Sequence, residues 1–147
     1  VVGNKLYGEN LVTPFLKKLY AISKKSKDKI IFTGHVDYDL LPQYYFMSDV
    51  GILPSLYDEP FSLSAIEYMA SGLAVIVSDA GGFPEMIGDT GVIVRRENLI
   101  RDLENTMIKL MIDKDLRRKL SKKSKKRSEQ YSIINYCIEL DKIYDDM

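Results

Sequence analysis

Two carboxylates in the stretch DEPFSLSAIEYMASG, residues 58–72, are the side chains of this chain best placed for chemistry. Glu59 and Glu67 bracket seven residues that open as a proline-containing loop and close as a helix, so one acid sits at the loop tip and the other in the helix's first turns. A carboxylate is a pure hydrogen-bond acceptor, and bonds to it are of the stronger, charge-assisted kind. The helix start between the two acids adds backbone N–H groups that attract anions. Acceptors and an anion cradle therefore share one mouth.

The flanking runs must hold that mouth in place. DVGILPS (49–55) and LAVIVSD (73–79) are short, apolar and β-branched, as buried parallel strands are, so the unit is strand-loop-helix-strand. In open α/β sheets ligands bind beyond the carboxyl ends of the strands, where Glu59–Leu63 fall. Upstream, Val1–Gly3 reads as the tail of a strand and Asn4–Asn10 as a polar loop. Thr13 caps a helix with Pro14 in its first position and Phe15, Leu16, Leu19, Tyr20 and Ile22 on one face. Asp28–Thr33 gives a strand that Gly34 ends, which puts His35 and Val36 on the ligand side as well. A second helix runs from Asp39 to about Ser48, with Pro42 in its first turn.

Downstream, Gly81-Gly82-Phe83-Pro84-Glu85 is a turn whose glycines permit close backbone approach, and Thr90–Val94 is a last strand. Three helical runs follow, 99–113, 115–130 and 133–147. Strands alternating with helices predict a Rossmann-like, doubly wound parallel α/β sheet with helices on both faces and a helical C-terminus.

The composition bounds the rest. At 147 residues, 46% hydrophobic and 29% charged, the chain fits a single globular domain over residues 1–147. Lys plus Arg equals Asp plus Glu at 21 each, so no global charge points to nucleic acid. One cysteine, Cys137, excludes an internal disulfide, and one histidine leaves no His/Cys cluster for zinc; a reducing cytoplasm fits. No apolar run approaches the roughly 20 residues of a membrane span. The opening VVGNKLYG reads as mid-strand rather than as a leader, so further chain upstream is expected.

Several residues also have plainer readings. Ser64-x-x-Glu67 spells a capping box in which the acid merely returns to the backbone. His35 needs no catalytic role beside a glycine turn, and its main chain is the better candidate. RRKLSKKSKKR (117–127) is read as a solvated helical face, with weak peripheral membrane contact as the alternative. Tyr131, Tyr136, Ile143 and Tyr144 are expected to pack a terminal helix onto the sheet or onto the N-terminal domain absent from these residues, with Cys137 as a small core residue. Asp79 and Asp37-x-Asp39 lack further ligands at metal spacing, so no metal is expected.

Residues 32–94 resemble the nucleotide-sugar-binding C-terminal domain of glycosyltransferase family 4, retaining enzymes of the two-domain GT-B fold. The matching residues are Gly34-His35-Val36; Asp49 with Leu53-Pro54-Ser55; Glu59-Pro60-Phe61 with Glu67, Met69-Ala70 and Gly72; and Gly81-Gly82 with Pro84-Glu85. Four motifs in order make the likeness specific.

The resemblance implies that Glu59, the catalytic residue of the set, contacts hydroxyls of the donor sugar and Glu67 the ribose of the nucleotide. The N–H groups of Phe61, Ser62 and Leu63 face sugar and diphosphate, His35 and Val36 hold the base through the main chain, and Gly81-Gly82 closes over the donor. Ser62 departs from the family's glycine, and a serine there can serve as a helix N-cap. The family's diphosphate-neutralising Arg and Lys have no counterpart here, and the acceptor-binding N-terminal domain is absent from these residues.

The chain is thus expected to be the donor half of a cytoplasmic transferase that moves a hexose-type group from a nucleotide-diphosphate sugar to a glycan or lipid-linked acceptor. It would work without cofactor or metal, sit at most peripherally on the membrane's inner face, and be inactive by itself. A nucleotide-sugar epimerase on the same fold and a non-catalytic sugar-nucleotide-binding module are the rivals.

Overall fold

The computed structural model describes residues 1–3, 13–26 and 29–145. The chain divides into two compact units, Val1–Tyr44 and Tyr45–Met147. The expected loop Asn4–Asn10 and residue Asp28 fall outside the described residues.

In the first unit, helix α1 (Pro14–Lys25) begins as its sequence dictates. Extended Thr13 accepts the Leu16 N–H on its hydroxyl at 3.3 Å, and Pro14 fills the first position, where a missing N–H costs nothing. None of the helix's residues is fully buried, although Tyr20 meets Phe32 edge-on at 5.1 Å. Over the described residues 29–33 the expected strand does not form. Val1 donates its amino group to the Ile31 carbonyl at 2.7 Å and accepts the Thr33 N–H at 3.1 Å, but only an isolated Gly3–Gly34 bridge follows. Both glycines hold positive φ, 110° and 71°, which turns the backbone out of the ladder, and so short a two-stranded ribbon has little stability. A 3₁₀ turn, Tyr38–Leu40, then leads into helix α2 (Leu41–Phe46), whose last two residues, Tyr45 and Phe46, belong to the second unit, with Pro42 in its first turn as expected.

The second unit is built on strands β1 (Val50–Leu53), β2 (Ala74–Ser78) and β3 (Val92–Val94), all parallel in the order β1-β2-β3. Helix α3 (Leu63–Ala70) connects β1 to β2, and the short helix α4 (Phe83–Ile87) connects β2 to β3. The sequence showed α4 only as a glycine turn. Helices α5 (Leu99–Ile112), α6 (Lys114–Ser128) and α7 (Ile133–Asp145) complete the unit within two residues of the expected runs.

Every residue of β2 is buried, and its alternation sorts them onto two cores. Val75 and Val77 pack with Ala65 and Met69 of α3 and with Phe83, Met86 and Ile87 of α4. Ala74 and Ile76 pack with Val94, with Leu110 of α5 and with Leu120 of α6. Each such aliphatic side chain contributes about 1.5–3 kcal/mol of transfer free energy, which makes β2 the axis of the unit. Helices on both faces give the doubly wound arrangement expected.

Helix α6 is more than a solvated basic face. Its serines grip the turn after α3: Ser121 donates to the Gly72 carbonyl, and buried Ser124 to that of Leu73 at 2.7 Å. Arg117 donates to the Leu110 carbonyl at 2.7 Å, and Arg127 to those of Met86 and Glu85 at 2.6 Å each, so two cations of the run cap the ends of α5 and α4. Arg118, Lys119, Lys122, Lys125 and Lys126 are exposed as expected. None of the residues of helix α7 is fully buried: Tyr136, Ile143 and Tyr144 are exposed and do not pack on the sheet, and Cys137 lies at the surface instead of in a core, contrary to expectation. Tyr131 does pack on the α3–α4 core. Among the described residues no helix is long and apolar enough to cross a membrane.

Candidate functional site

The loop from Ser55 to Pro60 leaves the carboxyl end of β1 and is stitched to the ends of the other two strands, β2 and β3. Ser78, last of β2, donates its hydroxyl to the Ser55 carbonyl at 2.6 Å. Asp58 Oδ1 accepts the Gly81 N–H at 3.1 Å, and the Glu59 carbonyl accepts the Gly82 N–H at 2.7 Å. The need for two glycines follows from this packing. A Cβ on Gly81, whose φ is 53°, would collide with the backbone of Glu59, and one on Gly82 would stand 2.5 Å from the Pro60 carbonyl oxygen. Close backbone approach, expected of this turn, is thus made to the Glu59 loop.

Arg96, just past β3, completes the stitching. Its Nη1 lies 2.9 Å from Asp58 Oδ1 and 3.4 Å from the Leu56 carbonyl, while its Nε stands 3.4 Å from Asp79 Oδ1. Its backbone N–H donates to that same Asp79 oxygen at 2.9 Å.

Glu59 itself is half-buried and accepts a hydrogen bond from the Tyr57 phenol. That bond, and then the carboxylate's negative charge, hold the phenol's proton on above the usual tyrosine range. Glu67, fifth residue of α3, is half-buried too, and its Oε2 accepts the Tyr45 hydroxyl at 2.8 Å. Tyr45 meets Tyr68 edge-on at 5.2 Å, and the Tyr68 ring lies against Gly51 of β1 so closely that a Cβ there would collide with it. Burial, and then the charge of Glu67, raise the Tyr68 phenol above its ordinary value. Each acid is therefore engaged by a tyrosine hydroxyl.

The helix start also resolves the plainer reading of Glu67. Ser62, not Ser64, is the N-cap: it is extended and buried, and its Oγ accepts the Ala65 N–H at 3.3 Å. The capping box is therefore ruled out, and the serine that stands in place of glycine takes up the cap. Phe61 and Leu63 flank it, both exposed, with the Phe61 ring edge-on to Tyr131 at 6.1 Å.

His35 and Val36 belong to the first unit, where exposed His35 places Nε2 3.6 Å from Asp37 Oδ1 and Val36 is half-buried. Among the described residues no three His, Cys, Asp or Glu side chains group as metal ligands. A cavity of about 370 Å³ opens at the other end of the sheet, lined by apolar Val50, Ile52, Met107 and Met111 beside the Asp49–Arg117 ion pair. None of the acids expected to act lines it.

Sequence reasoning missed Tyr45, Tyr57, Asp58 and Arg96. Tyr57 and Asp58 had a signal, their adjacency to Glu59. Arg96 had none, because its partners lie 17 and 40 residues away.

With this geometry in hand, comparison with known proteins is informative. The family model of glycosyl transferases group 1 matches residues 7–127. Spore coat protein SA of Bacillus subtilis is 31% identical over 130 residues, covering 87% of this chain and 34% of that protein. Lipopolysaccharide 1,2-N-acetylglucosaminetransferase of Salmonella typhimurium is 29% identical over 113 residues, 76% of this chain and 29% of its own length. The chain thus spans about a third of the length of each of these two relatives.

Among solved structures, sucrose-phosphate synthase of Thermosynechococcus elongatus superposes with a TM-score of 0.77 at 27% identity, over 90% of this chain and 34% of that one. The C-terminal domain of a glycosyl transferase group 1 protein from Francisella tularensis gives 0.71 at 31%, over 82% of this chain and 66% of that one. Anabaena HepE, solved in complex with UDP-glucose, gives 0.82 at 19% over 99% of this chain and 40% of that one, a likeness of fold.

Proposed function

This chain belongs to the glycosyl transferases group 1 family and has the C-terminal fold of a GT-B enzyme, and from that premise we propose that it binds the nucleotide-diphosphate sugar donor of a retaining glycosyltransferase. The observation that carries the reading is the Glu59 loop. A half-buried carboxylate stands at the carboxyl end of a parallel sheet, next to a capped helix N-terminus, in a loop pinned by a glycine pair. The solved HepE complex, of the same fold, holds UDP-glucose.

In this reading Glu59 accepts hydrogen bonds from sugar hydroxyls, which strengthen as oxocarbenium character develops, and Glu67 accepts from the ribose. Phe61, Ser62 and Leu63 turn N–H groups toward the sugar and the diphosphate, and Gly81-Gly82 shapes the wall. Tyr57 and Tyr45 hold the two acids until donor hydroxyls replace or join them. The acceptor is a glycan or a lipid-linked molecule, held with an N-terminal domain in a cytoplasmic enzyme that uses no metal and touches membrane at most peripherally. These residues alone turn over nothing.

Calorimetry of the chain against a panel of nucleotide-diphosphate sugars tests the reading. One donor should bind, and Glu59→Gln should weaken it about tenfold or more, in keeping with the loss of a charged acceptor. Binding by no member of the panel, or equal binding by Glu59→Gln, would sink it.

A further inference from the structure

We propose that Arg96 is the positioning residue of the donor loop: by joining Asp58 to Asp79 it fixes the loop that carries Glu59 against the ends of all three strands. The inference rests on the donor-site reading of Glu59 and assigns a role to a residue that none of the site motifs contains.

The geometry is that of a clamp with its jaws on different elements. Asp79 follows β2, Asp58 lies in the loop after β1, and Arg96 follows β3. One face of the guanidinium serves each side, Nη1 toward Asp58 at 2.9 Å and the Leu56 carbonyl at 3.4 Å, Nε toward Asp79 at 3.4 Å. Asp58 Oδ1 receives Arg96 and the Gly81 N–H together, so the clamp and the glycine turn close on the same atom. The next residue in the chain is Glu59, whose own carbonyl is bound by Gly82.

Charge makes the arrangement asymmetric. Two carboxylates face one guanidinium, whose side chain is only 37% exposed. Remove the cation, and Asp58 and Asp79 repel across the gap that Gly81 must fill, with Glu59 adding a third negative charge next door. A lysine does not substitute fully, because a single ammonium lacks the fork that reaches both acids and a carbonyl. Since the bonds of Arg96 are made within the loop and its neighbours, it acts through Glu59 and not on the donor.

Two tyrosines make the proposal testable without any ligand. Tyr57 reports on Glu59, which holds its proton on, whereas Tyr68 reports on its own burial against β1 and on Glu67. NMR titration of ring-labelled tyrosines in Arg96→Gln and in Asp58→Ala should show Tyr57 falling back toward an ordinary tyrosine while Tyr68 stays raised. Donor affinity should drop about tenfold in both, with Arg96→Lys recovering part of it. Tyr57 unmoved in both variants overturns the proposal, and so does collapse of the Tyr68 shift in Asp58→Ala, which would make the pair a general stability element. Should Arg96→Gln fail to fold, Asp58→Ala decides. If the parent chain binds no sugar nucleotide, the donor reading falls, while the Tyr57 titration still reports whether Arg96 holds Glu59.

Discussion

The Tyr45 hydroxyl donates to Glu67 Oε2 across 2.8 Å from a ring that is itself buried against Tyr68. Aromatic packing thus sets the direction of a carboxylate one helix away. Tyr45→Phe keeps the ring and deletes the bond, so it should cost about 1 kcal/mol in urea unfolding at unchanged m-value. In donor titrations it should weaken the nucleoside diphosphate as much as the intact nucleotide sugar, because the proposed ribose contact is shared by both. A loss confined to the sugar nucleotide would contradict the ribose role.

Ser62 and Ser64 offer a clean comparison at the start of α3. Ser62→Ala should lower stability by about 1 kcal/mol through loss of the cap to Ala65, and Ser62→Gly by only a few tenths, since glycine is an acceptable cap. Ser64→Ala should be close to silent. Thermal unfolding of the three variants checks the order, and a larger effect at Ser64 would revive the capping box.

Three glycines with different surroundings separate backbone strain from collision. Gly72 has φ 77° but its nearest neighbour to an added Cβ is a lysine side-chain carbon at 3.7 Å, so Gly72→Ala should cost about 1 kcal/mol from φ alone. Gly81→Ala adds contact with the Glu59 backbone to a φ of 53°, and Gly82→Ala contact with the Pro60 carbonyl without positive φ. Both should lose donor binding out of proportion to stability, measured by calorimetry beside chemical denaturation; Gly72→Ala should not.

Stability should fall at both ends of the pH scale for identifiable reasons. The Tyr68 phenol is raised by burial and by Glu67, so its contribution is complete below the ordinary tyrosine range and is lost as pH rises through the folded-state value. Tyr68→Phe should flatten that alkaline limb. Asp89 is lowered by its 2.6 Å hydrogen bond from Lys123, so its contribution is present above the ordinary carboxylate range and is lost as pH falls through the folded-state value. Lys123→Met should shallow the acid limb slightly, the pair being exposed.

What the sequence disclosed, and what it hid, divides by distance along the chain. The β2 run AVIVS is apolar at every position but its last and reads as a central strand, and Thr13-Pro14 announces a helix start within two residues. The helical runs after Glu97 were equally plain from their periodicity. Residues Lys29–Thr33 have strand composition yet form no strand, because a strand needs a ladder and composition carries no information about whether one is offered. The same limit applies to the site. Glu59 and Glu67 stand in a recognisable local pattern, whereas Arg96 and Tyr45 matter only through residues the fold brings to them, 17 to 40 positions away. Helix α4 escaped notice because its five residues include a proline and follow two glycines.

The reach of Ser124 back to Leu73, over 51 positions, has a consequence for biosynthesis. As the polypeptide leaves the ribosome, β2 emerges long before α6, so Ile76 waits without the Leu120 that will cover it. In that interval an uncharged, β-branched segment is open to neighbouring nascent chains, the circumstance in which intermolecular β-pairing begins. Ribosome-stalled products ending ahead of Ser124 should therefore depend on chaperones and precipitate when released, and any attempt to trim this protein to its donor loop has to keep the basic helix.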